Sequence, residues 1–310
     1  MTEKIAVLLP AYNEEITIVK VIEDFRKALP HAEIYVYDNN SKDRTNELAR
    51  ESGAIVRFEP RQGKGNVVRS MFREIDADYY IMVDADDTYP AAEVESLLQP
   101  LRDGLADMTI GDRLSNGTYS KENKRGFHGL GNNLVRILVN KLYKGNYNDI
   151  MTGYRGFNRL FVKNFPVLSP GFEIETELSI HSLDKRYKLV EVPITYKDRP
   201  EGSESKLSTF SDGFKVLRMI FSLFKDYKPL IFFTILTIIF LTLGLISGIP
   251  VISEFAKTGL ISKLPSAVLA TGFIILSALS LVAGFILDTV VRQNRMQYEL
   301  KVYDYYRSEK

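Results

Sequence analysis

The segment Tyr79–Pro90, YYIMVDADDTYP, carries the reading of the whole chain. A β-rich apolar run, Tyr79–Val83, ends abruptly in three carboxylates within four positions, Asp84, Asp86 and Asp87. Charge so concentrated at the end of an apolar strand needs a balancing charge. Working outward, four further strand-like runs stand at Ile5–Leu9, Glu33–Tyr37, Ile55–Phe58 and Met108–Ile110. Helix-like stretches lie between them: EEITIVKVIEDFRKAL, DRTNELARES, GNVVRSMFREI and AAEVESLLQPLRD. Such alternation predicts an α/β fold, a mostly parallel sheet with helices on both faces. Ligands of these sheets bind beyond the carboxyl ends of the strands. Polar clusters collect there: PAYNEE after the first strand, DNNSKDRT after the second, EPRQGKGN after the third and DADDTYP after the fourth.

Composition narrows the chemistry. Over 310 residues, 40 Lys and Arg stand against 39 Asp and Glu, so the chain lacks the basic footprint of a nucleic-acid partner. The absence of cysteine excludes disulfides, a thiol nucleophile and thiolate-bound zinc. His31, His128 and His181 are too scattered for a close-spaced histidine metal motif, so a metal here would be hard and oxygen-ligated.

The chain changes character at its C-terminal third. Residues 229–252 carry no charge and 265–291 only Asp288. Each exceeds the roughly 20 apolar residues that cross a bilayer. Just upstream, residues 208–228 place Phe210, Phe214, Leu217, Phe221 and Phe224 on one helical face, with Ser211, Lys215, Arg218, Ser222 and Lys225 beside them. That amphipathic pattern suits a helix lying in the headgroup plane, or one packed on the globular domain. Lys225 and Lys228 before the first span and Arg292 and Arg295 after the second favour both termini in the cytoplasm. The N-terminal MTEKIAVLLPAYNEE is too soon polar for a signal peptide, so the sequons at Asn39 and Asn116 are expected to be unused. The expected organisation is a globular domain over 1–207, the amphipathic helix 208–228, spans 229–252 and 265–291, and a cytoplasmic tail 292–310.

PAYNEE, DNNSKDRT, GKGNVVR, DADDTYP, MTGYRGF and RPEGSESK, in this order ahead of a membrane pair, resemble the family 2 inverting glycosyltransferases, specifically the polyprenyl-phosphate type related to dolichyl-phosphate mannose synthase. The likeness covers residues 3–225. It implies a GT-A (Rossmann-like) fold that moves one sugar from a nucleotide-sugar to a polyprenyl phosphate at the cytoplasmic membrane face. Asp84 and Asp86, if extended, would point into one cleft. There they could hold Mg²⁺ or Mn²⁺ against a diphosphate, since such ions take one or two carboxylates plus substrate phosphates. The resemblance places Pro10, Tyr12, Glu14 and Asp38 around the nucleotide, with Lys64 and Glu175 beside the donor. It places Arg113, Arg125, Arg199 and Lys206 on phosphates, and Asp149, Glu173 and Glu175 near the sugar. Asp84, Asp86, Arg113, Arg125 and Asp149 would then carry the chemistry.

Several positions keep a second reading. Asp43 serves equally as a helix start, and Asp87 as the cap of a helix near Pro90. Gly63-Lys64-Gly65 lacks the Walker spacing, but its N–H groups at a helix start would suit an anion. Thr88 stands where the mannose synthases usually carry Gln, which favours UDP-glucose or UDP-N-acetylglucosamine over GDP-mannose. A family 2 enzyme with a hydroxyl acceptor is disfavoured because the chain has no tryptophan for a Gln-x-x-Arg-Trp motif. A non-catalytic scaffold is disfavoured by the intact Asp-x-Asp. A homo-oligomer is compatible with the sequence, which leaves oligomeric state, sugar and polyprenol open.

Overall fold

The computed structural model describes residues 3–115, 117, 128–143, 145–200, 202 and 209–308. The chain divides into two compact units, Met1–Arg218 and Met219–Lys310. The first is built on a seven-stranded sheet of order β3-β2-β1-β4-β6-β5-β7. Its strands are β1 (Ile5–Ala11), β2 (Glu33–Asp38), β3 (Ile55–Phe58), β4 (Tyr79–Met82), β5 (Met108–Asp112), β6 (Arg155–Asn158) and β7 (Leu189–Pro193).

Side-chain alternation sorts the central strands into two cores. Val7, Leu9, Ile34, Val36, Ile81 and Val83 face helices α1 (Ile18–Ala28) and α4 (Val94–Arg102), which contribute Ile22, Phe25, Leu97 and Leu98. Ala6, Leu8, Tyr35, Tyr37, Tyr80 and Met82 face the other way. There they meet Val68 and Met71 of α3 (Lys64–Glu74), Phe161 of α6 (Arg159–Asn164) and Leu178 of α7 (Ile174–Asp184). Burial on both faces is why β1 reads as a continuous apolar run. Among the described residues ahead of 209, helices α2 (Thr45–Glu51) and α5 (His128–Tyr143) and a 3-10 turn over Ala91–Glu93 complete the elements.

One strand departs from the parallel pattern and positions the site. β6 runs antiparallel between β4 and β5, with Arg155 opposite both Met82 and Ile110. Its amino end therefore lies at the edge where β4 and β5 have their carboxyl ends. The segment Asp149–Tyr154 that feeds it arrives beside DADDTYP.

The second part of the chain is helical. Helix α8 (Thr209–Tyr227) contains the boundary between the units, and on the second unit's side of it Phe221 and Phe224 pack edge-on against Phe232 at 5.1 and 5.7 Å. The division falls inside this helix, between Arg218 and Met219. Phe214, Leu217 and Phe221 are exposed, whereas the side chains of Phe210, Ser211 and Lys215 lie outside the described residues. Helices α9 (Pro229–Thr258) and α10 (Leu264–Ser308) are long and apolar enough to cross a membrane. Both outrun the apolar stretches: α9 ends only at the left-handed Gly259, and α10 continues through Arg292, so the expected tail is helical as far as Ser308. They close through small residues. A Cβ at Gly244 would stand 2.9 Å from Ile274 Cδ1, and Ser277 Oγ donates to the Thr237 carbonyl at 3.1 Å.

His181 of α7 packs edge-on against Phe165 at 4.9 Å, and burial lowers its pKa from 6.5 to about 3. The unfolded chain accepts a proton near pH 6.5 that the native state refuses. This contribution is therefore complete above pH 6.5 and shrinks as pH falls, by about 1.4 kcal/mol per unit, until the folded value is reached. Unfolding of full-length protein and of His181→Leu, followed from pH 7 to 4.5, should give a visibly shallower pH dependence for the variant; parallel curves would contradict the assignment.

Candidate active site

The carboxyl ends of β1, β2, β4 and β5, with the segment entering β6, bring together a cluster of buried and half-buried charged groups. Asp84 and Asp86 are not presented by an extended strand, as expected above; β4 ends at Met82 and residues 85–87 form a turn in which Asp87 has φ 60°. The two carboxylates take different cations. Asp84, still 29% exposed, accepts from Lys64 Nζ, while buried Asp86 accepts from Arg199 Nη2 at 2.5 Å. Thr88 donates to Asp86 Oδ1 from its hydroxyl at 2.6 Å and its N–H at 3.2 Å.

Each cation bridges a second carboxylate. Lys64 Nζ donates to Glu175 Oε1 at 2.7 Å, and Arg199 Nη1 lies 3.4 Å from Glu14 Oε1. Burial raises the pKa of Asp86, and the neighbouring Asp84 charge pushes it further, against the pull of Arg199. Burial likewise raises Glu175, partly offset by Lys64. Lys64 is lowered by burial and raised more strongly by Asp84 and Glu175, so it stays charged. For Arg199 too, burial pulls down and Asp86 and Glu14 prevail.

A separate pair lies at the β5 end. Asp149 is Arg113's ion-pair partner: Nε and Nη2 donate to its two oxygens at 2.7 and 2.9 Å, and Glu191 accepts the N–H of Asp149 at 3.0 Å. Arg155, absent from the sequence-based candidates, is fully buried. Its guanidinium donates to the carbonyls of Ile150, Thr152 and Glu175 at 2.6, 3.1 and 2.9 Å and to Ser179 Oγ at 3.1 Å. It pins the segment beside Asp84 and the first turn of α7 to the sheet together. Burial lowers its pKa to about 10, which leaves it charged at neutral pH.

Gly153 is a second unanticipated position: a Cβ there would stand 2.8 Å from Asp84 Cγ and collide with the carboxylate oxygens. Only its place in MTGYRGF, between the Arg113 partner Asp149 and buried Arg155, hints at this. Buried Asn39 is the third, donating to the carbonyls of Glu59 and Arg61 and accepting from Gly63 N–H at 2.7 Å. It holds the β2 and β3 loops together.

Two expectations are corrected, and a third position takes one of its two readings. Gly63-Lys64-Gly65 is not an anion cradle, because Gly63 N–H is taken by Asn39, Gly65 N–H donates to Gly171 O and Asn66 N–H to Pro170 O. Its glycines instead admit the Ser169–Pro170 backbone, and Lys64 serves carboxylates. Asp87 caps no helix; it pairs with Lys20 at 2.7 Å. Asp43 takes its helix-start alternative, accepting from Thr45 N–H at 3.0 Å, and also from Glu15 N–H at 3.1 Å.

At the β1 and β2 ends, Pro10 is paired with Tyr37, Tyr12 is half-buried just beyond the strand, and Asp38 accepts from Ser41 N–H and Asn46 Nδ2. Glu173 stands at the cap position of α7 without capping through its side chain. Arg125 and Lys206 lie outside the described residues. Asp84 and Asp86 offer hard oxygen donors that fit a divalent ion. Among the described residues no third His, Asp or Glu joins them in a ready-made cage.

Residues 6–165 match the family described as Glycosyl transferase family 2. Glycosyltransferase AglJ of Haloferax volcanii is 34% identical over 235 residues, 74% of this chain and 75% of that protein. A dolichyl-phosphate hexose transferase of the same organism is 30% identical over 211 residues, 68% of this chain and 90% of its own length. Among solved structures, glucosyl-3-phosphoglycerate synthase from Mycobacterium tuberculosis, in complex with Mn²⁺, UDP and glucosyl-3-phosphoglycerate, superposes with a TM-score of 0.59. That alignment is 24% identical and covers 71% of this chain and 79% of the synthase, a likeness of fold.

Replacing Arg155 by Met should strand the carbonyls of Ile150, Thr152 and Glu175. A loss of roughly 3 kcal/mol in denaturant unfolding is expected, in the range for breaking buried charged hydrogen bonds. A loss below about 1 kcal/mol, the scale of a single neutral hydrogen bond, would remove Arg155 from this structural role.

Proposed function

The chain belongs to glycosyl transferase family 2, and from that premise we propose that it transfers a hexose from a nucleotide-sugar to a polyprenyl phosphate at the cytoplasmic face of a membrane, with inversion. The observation that carries this reading is the cleft itself: four carboxylates, Glu14, Asp84, Asp86 and Glu175, share two cations, Lys64 and Arg199. Counted over these six groups alone, the cleft keeps two negative charges, the complement of one divalent ion. Mg²⁺ or Mn²⁺ held by Asp84 and Asp86 would supply counter-charge to the departing diphosphate. The likeness to a synthase crystallised with Mn²⁺ and UDP supports this assignment. The name of the dolichyl-phosphate hexose transferase supports the lipid acceptor.

The chain's own residues divide the remaining work. Pro10, Tyr12, Glu14 and Asp38, at the ends of β1 and β2, line the nucleotide side of the switch point where strand order reverses. Arg199 links the β1 and β4 loops through Glu14 and Asp86, a position from which it can serve a phosphate. Arg113, set by Asp149, takes the acceptor side with Arg125 and Lys206, arginine suiting phosphate by its forked donors. A phosphate monoester is largely dianionic at pH 7, so attack on the anomeric carbon needs no strong base. In keeping with that, Asp149 and Glu175 are each engaged by a cation. Two spans and the amphipathic α8 bring the domain to its lipid substrate, with Lys225, Lys228, Arg292 and Arg295 on the cytoplasmic side.

Thr88, bonded to Asp86, occupies the place of the mannose-type Gln, and UDP-glucose or UDP-N-acetylglucosamine is the proposed donor. Full-length protein in lipid nanodiscs, given polyprenyl phosphate and a panel of labelled nucleotide-sugars, should form a polyprenyl-phosphate sugar from a UDP donor. Use of GDP-mannose alone would contradict the donor assignment. Asp86→Ala should lower turnover roughly 10²–10³-fold, the scale of a lost transition-state charge partner, in protein whose unfolding transition, though lowered by the lost Arg199 pair, stays above the assay temperature; wild-type turnover would remove Asp86 from the site.

A further inference from the structure

Tyr89 closes the Asp-x-Asp loop and is buried, its ring between Tyr154 at 5.4 Å and Tyr196 at 5.9 Å. Its phenol oxygen is a junction. Gly153 N–H donates to it at 3.1 Å, Arg113 Nη1 at 3.3 Å and Thr152 Oγ1 at 3.4 Å. The first contact fixes the backbone wall against which the Asp84 carboxylate rests, because Gly153 has no side chain to hold it away. The second fixes a guanidinium already held along its Nε–Nη2 edge by Asp149, its Cζ 5.7 Å from the centroid of the Tyr196 ring. One hydroxyl thus touches the supports of both a proposed metal ligand and a proposed acceptor-phosphate group.

We propose that Tyr89 is a positioning residue for the transfer reaction, its hydroxyl setting Asp84 through Gly153 and Arg113 directly, so that the donor and acceptor halves of the cleft keep one spacing. The inference rests on Asp84 serving the metal and diphosphate and Arg113 the acceptor. In-line transfer between two anionic reactants is sensitive to such spacing, since displacements near 1 Å can cost orders of magnitude in rate. The phenol touches neither reactant; it acts through its neighbours. Phenylalanine keeps the ring packing and removes only the junction.

The test uses full-length protein in lipid nanodiscs with saturating UDP, free Mn²⁺ being followed by electron paramagnetic resonance. Wild type, Tyr89→Phe, Gly153→Ala, the double variant and Asp84→Asn are compared, with unfolding temperature recorded. Tyr89→Phe should weaken Mn²⁺ binding about three- to tenfold, the fold-change of one or two lost hydrogen bonds. Gly153→Ala should weaken it at least as much, and the double variant should be no weaker than Gly153→Ala. The KM for polyprenyl phosphate should rise in Tyr89→Phe and stay put in Gly153→Ala. Unchanged Mn²⁺ affinity in Tyr89→Phe, or losses that multiply in the double variant, would overturn the proposal while Asp84→Asn still loses Mn²⁺. If Tyr89→Phe unfolds early, Gly153→Ala decides alone, and unchanged Mn²⁺ affinity there overturns the proposal. Wild-type Mn²⁺ binding by Asp84→Asn would instead sink the functional reading, and this one with it.

Discussion

Negative charge brought together at the edge of an apolar sheet is the constraint on which the first unit depends. Burying carboxylates without partners costs several kcal/mol each, and pairing recovers this only when geometry is good. Lys64 and Arg199 meet the demand by bridging, Lys64 between Asp84 and Glu175, Arg199 between Glu14 and Asp86. Each bridge joins separate elements: the start of α3 to the β4 loop and α7, and the segment after β7 to the β1 and β4 loops. The same ion pairs that organise the cleft leave it short of positive charge, and a divalent ion at Asp84 and Asp86 would relieve that shortage.

Around this cluster, the antiparallel β6 is what makes a site from a parallel sheet. Without it the Asp149–Tyr154 segment would not reach the carboxyl ends of β4 and β5. Arg155 then ties that segment to α7, whose Glu175 faces Lys64. Asp149, Gly153 and Glu175 owe their positions to one strand and one buried guanidinium. Lys64 in turn is reached because Gly63 and Gly65 let the Ser169–Pro170 backbone pass close to the start of α3.

Much of this was legible. β1 to β5 follow from their β-rich runs, and polar clusters at their ends announced the cleft in PAYNEE, DNNSKDRT and DADDTYP. β6 was not, because Arg-Gly-Phe-Asn over 155–158 has two residues that disfavour strands and an arginine that only a polar interior explains. β7 is a partly buried edge strand ending in proline, and it lacks strong alternation. The role of Gly153 depends on a contact 69 positions away, with Asp84, which no local pattern encodes. The Gly63-Lys64-Gly65 reading failed for a similar reason: glycines near a helix start suit an anion or a crossing backbone equally, and tertiary packing selected the second. The helical continuation past Arg292 was hidden because the apolar signal stops where the helix does not.

The central claim is that Asp84 and Asp86 hold a divalent ion against the diphosphate of the donor. An anomalous difference map at the manganese edge, from crystals of the full-length protein grown with Mn²⁺ and UDP, tests it most directly. A peak within bonding distance of Asp84 and Asp86 oxygens and of the UDP diphosphate is the predicted result. UDP bound with its diphosphate on Lys64 and Arg199 alone, and no manganese at the aspartates, would contradict it.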